Sequence, residues 1–179
     1  MTMVGLASAL WTNGALADDN DNDYHHDSTA APFDFYRDME FSVDGFAVGT
    51  AGEEALEHSF RYLRHHGFYG AGAGANFFFC RYLGIGGEFY TENVPGPFIA
   101  STSGNLIARL PIRGTPISPY IFGGGGHSFD GVQQSFGQVG GGLEVRFMRH
   151  FGVFVDARYV FAGQTDNYAV GRAGLRLSF

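Results

Sequence analysis

The sequence predicts an all-β fold, an eight-stranded antiparallel up-and-down β-barrel that spans a membrane. Three observations support this prediction. From residue 39 onward, apolar and polar residues alternate with a period of two, in segments of about ten residues, which is the length of a tilted transmembrane strand. Turn-forming residues separate these segments. The composition combines 28 glycines and 16% aromatic residues with only 16% charged residues, as in membrane barrels.

The predicted strands cover most of the chain after residue 39. In chain order they lie at about 40–50, 69–80, 83–91, 98–111, 117–128, 138–147, 151–161 and 168–179. The seventh is the clearest, because Val153, Val155 and Ala157 share one face while Asp156 and Arg158 share the other. The fifth is so rich in glycine that its facing stays ambiguous.

The connections between the predicted strands alternate in length. Tight turns lie at 80–84, 113–116 and 148–150, and longer connections lie at 51–68, 91–97 and 129–134; the short one at 163–166 is an exception. Short turns are periplasmic and long loops external in bacterial barrels, which places the N-terminus in the periplasm. The first loop contains a predicted short helix around 55–63.

The chain divides into three predicted regions. An apolar stretch at 3–10 followed by Ala15-Leu16-Ala17 is typical of a signal peptide over 1–17, although no basic residue precedes it and the true start is expected upstream. The alternative is a weakly apolar extension. Residues 18–38 hold seven aspartates and one arginine and are predicted to be a disordered periplasmic segment. Residues 39–179 form the barrel.

The inward-facing positions of the predicted strands carry a balanced set of charges. The proposed lumen acids are Glu40, Asp44, Glu88, Glu144 and Asp156, and the proposed lumen bases are Arg109, Arg146, Arg158, Arg172 and Arg176. Equal numbers of acids and bases, five of each, are expected if these side chains are buried, because an unpaired buried charge is costly. We expect Glu144 to pair with Arg146 or Arg158. A soluble lipocalin-like barrel, with apolar residues inside, is the structural alternative.

The C-terminus adds a further pattern. The chain ends at Phe179, with Leu177 and Leu175 at alternate positions before it. Together with Asn76-Phe77-Phe78-Phe79, the run 119–125 and the run 152–159, this ending resembles the small outer-membrane β-barrel family, porin-like and related to the OmpA transmembrane domain and OmpX. The resemblance covers 68–179. It implies location in the outer membrane, contact with its lipid and lipopolysaccharide, and an assembly signal at Phe179, Leu177 and Leu175 that the outer-membrane assembly machinery reads.

Several chemical functions are excluded or disfavoured by the sequence. The chain has no lysine, so P-loop and Schiff-base chemistry are excluded, and its acidic excess gives no basic face for nucleic acid. Cys80 is the sole cysteine.

His127 and Ser128 resemble the His/Ser pair of lipid A deacylase barrels, but adjacent strand residues face opposite sides. The glycine runs have no following helix to bind phosphate, so we interpret them as space for inward Arg and aromatic side chains.

Three functions remain open, in decreasing order of support. The first is a structural or surface-interaction barrel of the cell envelope, without enzymatic activity, cofactor or metal, and monomeric. The second is a narrow porin-like channel, which the plugged lumen of an eight-stranded barrel disfavours. The third is a lipid-modifying enzyme. Histidines 58, 65 and 66 in the first loop are interpreted as polar loop residues.

Overall fold

The computed structural model describes residues 35–52, 69–93, 97–129, 133–163 and 167–179. Their eight antiparallel strands form a closed barrel, in which each strand pairs with its sequence neighbours and the last pairs with the first. The strands are β1 (Glu40–Gly52), β2 (Tyr69–Cys80), β3 (Leu83–Glu92), β4 (Ser101–Arg109), β5 (Ile117–Ser128), β6 (Gln134–Met148), β7 (Phe151–Ala162) and β8 (Tyr168–Ser178). The predicted eight-stranded up-and-down barrel is confirmed.

The strand bounds differ most from the prediction in β4 and β6, and β6 begins at Gln134 instead of around 138. The strand β4 spans Ser101–Arg109, whereas we expected it to span 98–111. Pro111 has no amide hydrogen to donate, so the regular ladder ends before it, although Leu110 N and Ile112 N still donate to the carbonyl oxygens of Pro119 and Ile117. The strands β2 and β5 have the predicted bounds.

The two ends of the barrel are built differently. At one end, here called the turn end, residues 81–82, 110–116 and 149–150 join strands, and β1 begins and β8 finishes there. Gly114 in the second of these turns has a φ of 74°, a left-handed conformation that suits glycine. The opposite end, the loop end, is where residues 53–68, 93–100, 129–133 and 163–167 connect the strands.

The barrel is apolar outside and polar inside. Along β7, buried positions alternate with half-buried and exposed ones, so Asp156 and Arg158 lie inside while Val155 is 55% exposed. The facing of β5 is now settled, since Ser118 and Tyr120 point inward and Ile121 points outward. A soluble lipocalin-like barrel has the opposite arrangement, so this structural alternative is excluded.

Some predictions concern residues outside the described ranges. These are the signal peptide over 1–17, most of the acidic segment 18–38, the helix around 55–63, and histidines 58, 65 and 66. Within the described ranges, no helix has the length and apolarity needed to cross a membrane.

Candidate functional site

The interior of the barrel brings the predicted charged residues together. All ten project inward from β1, β3, β4, β6, β7 and β8, because the period of two places every second side chain on the inner face. Each of them takes part in at least one ion pair, in the two separate networks described below.

The larger network lies towards the turn end, and its acids and bases alternate. In order, it contains Arg109, Glu40, Arg146, Glu144, Arg176 and Asp44. The Glu40 carboxylate accepts hydrogen bonds from Arg109 Nη1 and Arg146 Nη2, both at 2.6 Å. Glu144 joins Arg146 Nε to Arg176 Nη1, again at 2.6 Å each. We name these six residues the turn-end network.

The turn-end network ends in a two-pronged pair. Arg176 donates from Nε and Nη2 to the two oxygens of Asp44, both at 2.7 Å. Asn76 Nδ2 also donates to Asp44 at 2.8 Å. This fork geometry is the arrangement that makes arginine–carboxylate pairs strong and directional.

A second network lies towards the loop end. In order, it contains Arg158, Glu88, Arg172 and Asp156, and we name it the loop-end network. Arg172 donates from Nε and Nη2 to Asp156 at 2.9 and 2.7 Å, while Glu88 accepts from both arginines. Our expectation that Glu144 pairs with Arg146 or Arg158 holds only for Arg146. Arg158 pairs instead with Glu88.

Each network is neutral by itself. The turn-end network holds three carboxylates and three guanidinium groups, and the loop-end network holds two of each. Burying a charge costs several kcal/mol unless it is paired and hydrogen-bonded, so this local balance is what allows the lumen to be charged at all.

Aromatic side chains fill the space between the charges, and sequence reasoning missed most of them. The Arg109 guanidinium lies 3.6 Å from the ring centre of Phe78, and Arg172 lies 4.8 Å from that of Phe46. Tyr120 donates its hydroxyl hydrogen to Asp156 at 2.7 Å. The signal was present in the alternation of the strands, which places these rings on the inner face with the arginines.

Inward glycines lie directly across from the inward rings. Phe46 faces Gly72 on one side and Gly174 on the other, and Phe122 faces Gly140. A Cβ atom at Gly140 would lie 2.6 Å from the Phe122 ring, closer than real contacts allow. The glycine-rich strands therefore make room for rings, which agrees with our interpretation of the glycine runs.

Residues 35–38 close the turn end, and we name them the strap. Tyr36 is buried, and its hydroxyl donates to the carbonyl oxygen of Pro116 at 3.1 Å. Burial raises the pKa of the Tyr36 hydroxyl, and the nearby Glu144 carboxylate adds to the shift. We expected 18–38 to be disordered as a whole. For the strap the structure differs, because arginines of the barrel supply donors to its backbone.

Apolar side chains close the loop end. The buried members of this cap are Val48, Tyr90, Phe136, Val160 and Val170, with Tyr168 packed against them. Among the described residues, no chain segment crosses the loop end in the way that the strap crosses the turn end.

The exterior carries an apolar belt between two groups of exposed aromatic residues. Those towards the turn end are Phe41, Phe79, Tyr82, Phe147 and Phe179, and those towards the loop end are Tyr69, Phe98, Phe129 and Phe161. Leu106 and Ile121 are 70% and 67% exposed in mid-barrel, where lipid chains would contact them. Phe179, Leu177 and Leu175 face outward, and Phe179 N donates to the Phe41 carbonyl oxygen at 2.8 Å, next to the seam of β1 and β8. Their role as an assembly signal stays a prediction.

The remaining polar candidates do not form a catalytic constellation. His127 lies on the outer face, and its Nδ1 is 3.4 Å from Ser135 Oγ of the neighbouring strand, whereas Ser128 falls on the inner face of β5. Cys80 is half-buried beside a tight turn. Among the described residues, no group of three or more His, Cys, Asp or Glu side chains is placed to hold a metal ion.

Solved structures share this architecture. The N-terminal β-barrel domain of Pseudomonas aeruginosa OprF matches with a TM-score of 0.55 at 16% identity, over 77% of this chain and 97% of that chain. The outer membrane protein OprG from the same organism matches with a TM-score of 0.55 at 11% identity, over 80% and 97%. This is the fold of a small outer-membrane β-barrel.

A third match is Ail, the attachment invasion locus protein of Yersinia pestis. Its TM-score is 0.53 at 16% identity, over 79% of this chain and 99% of that chain. No protein-family model matches the sequence, and no curated protein matches it. At these identities the similarity establishes the fold, and the resemblance predicted from the sequence is confirmed at that level.

Proposed function

We propose that this protein is an outer-membrane β-barrel that serves as a closed structural element of the cell envelope and presents its loop end outside the cell. The observation that carries the proposal is the combination of an apolar exterior with a lumen filled by two neutral charge networks. A lumen filled in this way stabilises the barrel without leaving a path for solutes.

The orientation follows from the connections. Short turns lie on the periplasmic side of bacterial barrels, so the turn end faces the periplasm and the loop end faces outward. The proposal includes cleavage of residues 1–17, an acidic periplasmic segment ahead of the strap, contact of the belt with lipid and lipopolysaccharide, and recognition of Phe179, Leu177 and Leu175 during assembly. We expect a monomer.

A surface-interaction role is part of the same proposal. A structure of Ail has been solved with the heparin analogue sucrose octasulfate, so a protein of this fold binds a ligand. In this chain the two longest connections between strands, 53–68 and 93–100, lie at the loop end, where such contacts would be made. We assign no enzymatic role to the lumen, because each of its ten charges is already used in an ion pair.

The membrane barrel is tested first by heat-modifiability. The protein is refolded into detergent micelles and run on a gel with and without boiling, and its circular dichroism is measured. We expect a faster-migrating unboiled band and a β-type spectrum. A protein that stays soluble without detergent and shows no band shift would contradict a membrane barrel.

Closure of the lumen is tested by planar-bilayer recording. We expect no steady single-channel current from the refolded protein, while an established porin in the same bilayer gives one. Reproducible current steps from this protein would favour the narrow porin-like channel over the closed barrel.

A further inference from the structure

Three arginines at the turn end bind three successive backbone carbonyls of the strap. Arg146 Nη1 donates to the carbonyl oxygen of Phe35 at 2.9 Å, and Arg81 Nη2 donates to that of Tyr36 at 2.9 Å. Arg109 Nη2 donates to the carbonyl oxygen of Arg37 at 3.3 Å. These bonds recognise the backbone of the strap. Two of its side chains are bound as well, because the Tyr36 ring lies beside Arg146 and the Asp38 carboxylate accepts a hydrogen bond from Arg81 N at 2.6 Å.

The Tyr36 ring occupies a pocket between two of the same arginines. The guanidinium groups of Arg146 and Arg109 lie 4.2 and 5.1 Å from the ring centre, and the ring is 2% exposed. Cation–π contacts of this kind are strengthened when the partners are removed from water. The pocket therefore favours an aromatic side chain at this position.

The strap crosses the whole mouth of the barrel. The strap joins the start of β1 through Met39. This residue has a left-handed φ of 53°, a conformation that costs energy for a residue other than glycine. Tyr36 reaches the carbonyl of Pro116, directly before β5, and β5 lies opposite β1 in an eight-stranded barrel. The contacts on the far side hold the chain in this turned conformation.

We propose that the turn-end mouth is a peptide-binding site, made of Arg81, Arg109 and Arg146, and that the chain's own strap occupies it as a plug. The ligand class is an extended peptide with one aromatic side chain that enters the pocket. While bound, the plug separates the turn-end network from water on the periplasmic side. This inference goes beyond the proposed function, since it concerns how one end of the lumen is sealed.

Two buried serines provide matched reporters, one at each end of the lumen. Ser118 is 0% exposed, has no hydrogen-bond partner in the described part of the chain, and follows Pro116 by two residues. Ser101 is 2% exposed at the loop-end start of β4. After Cys80→Ser, the single replacements Ser118→Cys and Ser101→Cys give thiols whose reaction with a water-soluble maleimide reports access from each end.

The decisive experiment compares these reporters in the full chain with and without Tyr36→Ala. Truncation of a buried ring should raise the labelling rate of Ser118→Cys by about a hundredfold or more. The rate at Ser101→Cys should not change. Equal rates at Ser118→Cys with and without Tyr36→Ala, or a rise at both reporters, would overturn the plug.

The binding site itself is tested by adding the plug in trans. A synthetic peptide with the sequence of residues 33–39 should restore protection of Ser118→Cys in the Tyr36→Ala protein, in a dose-dependent way. The same peptide with alanine in place of tyrosine should not. Absence of protection by the tyrosine peptide would overturn the assignment of a peptide-binding site.

A second variant covers the case in which Tyr36→Ala fails to fold, judged by loss of the heat-dependent band shift. Arg81→Gln with Asp38→Ala removes two contacts at the rim: the Arg81 bond to the Tyr36 carbonyl, and the Asp38 carboxylate that accepts from Arg81 N at 2.6 Å. Because neither residue belongs to the two lumen networks, the barrel should still form. We expect roughly tenfold faster labelling of Ser118→Cys, and an unchanged rate would again overturn the proposal.

Discussion

The two ends of the lumen bury the same kinds of charge but close over them differently. At the turn end a peptide backbone covers the network, and every guanidinium nitrogen of its three arginines has an acceptor. At the loop end apolar side chains form the cover. There Arg158 is buried, but its Nε and Nη2 have no partner in the described part of the chain.

This difference shows what each kind of cover supplies. A backbone segment brings carbonyl oxygens, so it can satisfy the donors that ion pairing leaves over. The described residues of the loop-end cap supply no acceptor to Arg158 Nε and Nη2, and a buried donor without an acceptor costs about 1–3 kcal/mol. We conclude that the turn-end network is the better satisfied of the two, and that the loop-end network depends more on each of its remaining pairs.

The largest expected effect comes from Glu88→Gln in the loop-end network. This substitution removes the one carboxylate that pairs with Arg158, which then keeps Gln138 Oε1 as a neutral acceptor at 2.9 Å. Leaving a buried charge without its partner should lower the free energy of unfolding by about 3–5 kcal/mol. Urea unfolding in lipid vesicles measures this loss.

The matched control is Glu144→Gln in the turn-end network. Its two neighbours each keep another carboxylate, because Arg146 retains Glu40 and Arg176 retains Asp44. The loss should therefore be smaller than for Glu88→Gln. An equal or larger loss for Glu144→Gln would show that the position of a carboxylate within its network does not decide its contribution.

The facing of the strands could be predicted from the sequence, but the pairing of the charges could not. A period of two tells which side chains share a face, so Asp156 and Arg158 are correctly placed inside. Pairing between distant strands depends on the stagger around the barrel, which the sequence of one strand does not contain. For this reason Glu144 has Arg176 of β8 as its second partner, whereas the sequence offered Arg146 and Arg158 as the alternatives.

The sequence contains no comparable signal for the ordering of the strap. Residues 35–38 follow an aspartate-rich stretch and show no alternation, so composition alone argued for disorder. What fixes them is a set of donors from β4, β6 and the turn at 81–82, which are far away in the sequence. A contact of this kind is visible only once the closed barrel has brought those donors to one mouth.

A smaller effect is expected when an inward glycine beside the loop-end cap is replaced by alanine. In Gly126→Ala the new Cβ would lie 2.5 Å from the Phe136 ring and 2.2 Å from the Thr102 carbonyl oxygen. This overpacking should lower the free energy of unfolding by about 1–3 kcal/mol. Gly137→Ala is the control, because nothing lies within 4 Å of its Cβ position, and it should change stability by less than about 0.5 kcal/mol. Similar losses in both would mean that backbone freedom, not ring packing, governs these positions.

The smallest expected effect concerns the strap and depends on pH. Tyr36→Phe keeps the ring between Arg109 and Arg146 but removes the hydroxyl that donates to Pro116, which should cost about 0.5–1.5 kcal/mol at neutral pH. Since burial raises the pKa of Tyr36 above the usual value of about 10, the unfolded chain loses this proton first as the pH rises. The advantage of the wild-type protein over Tyr36→Phe should therefore be constant below about pH 10 and shrink above it.

Both proteins share every other tyrosine, so the difference between their unfolding curves at each pH isolates this one hydroxyl. A difference that stays constant through pH 11 would show that the Tyr36 hydroxyl is not buried under the conditions of the experiment and that the strap leaves the mouth open.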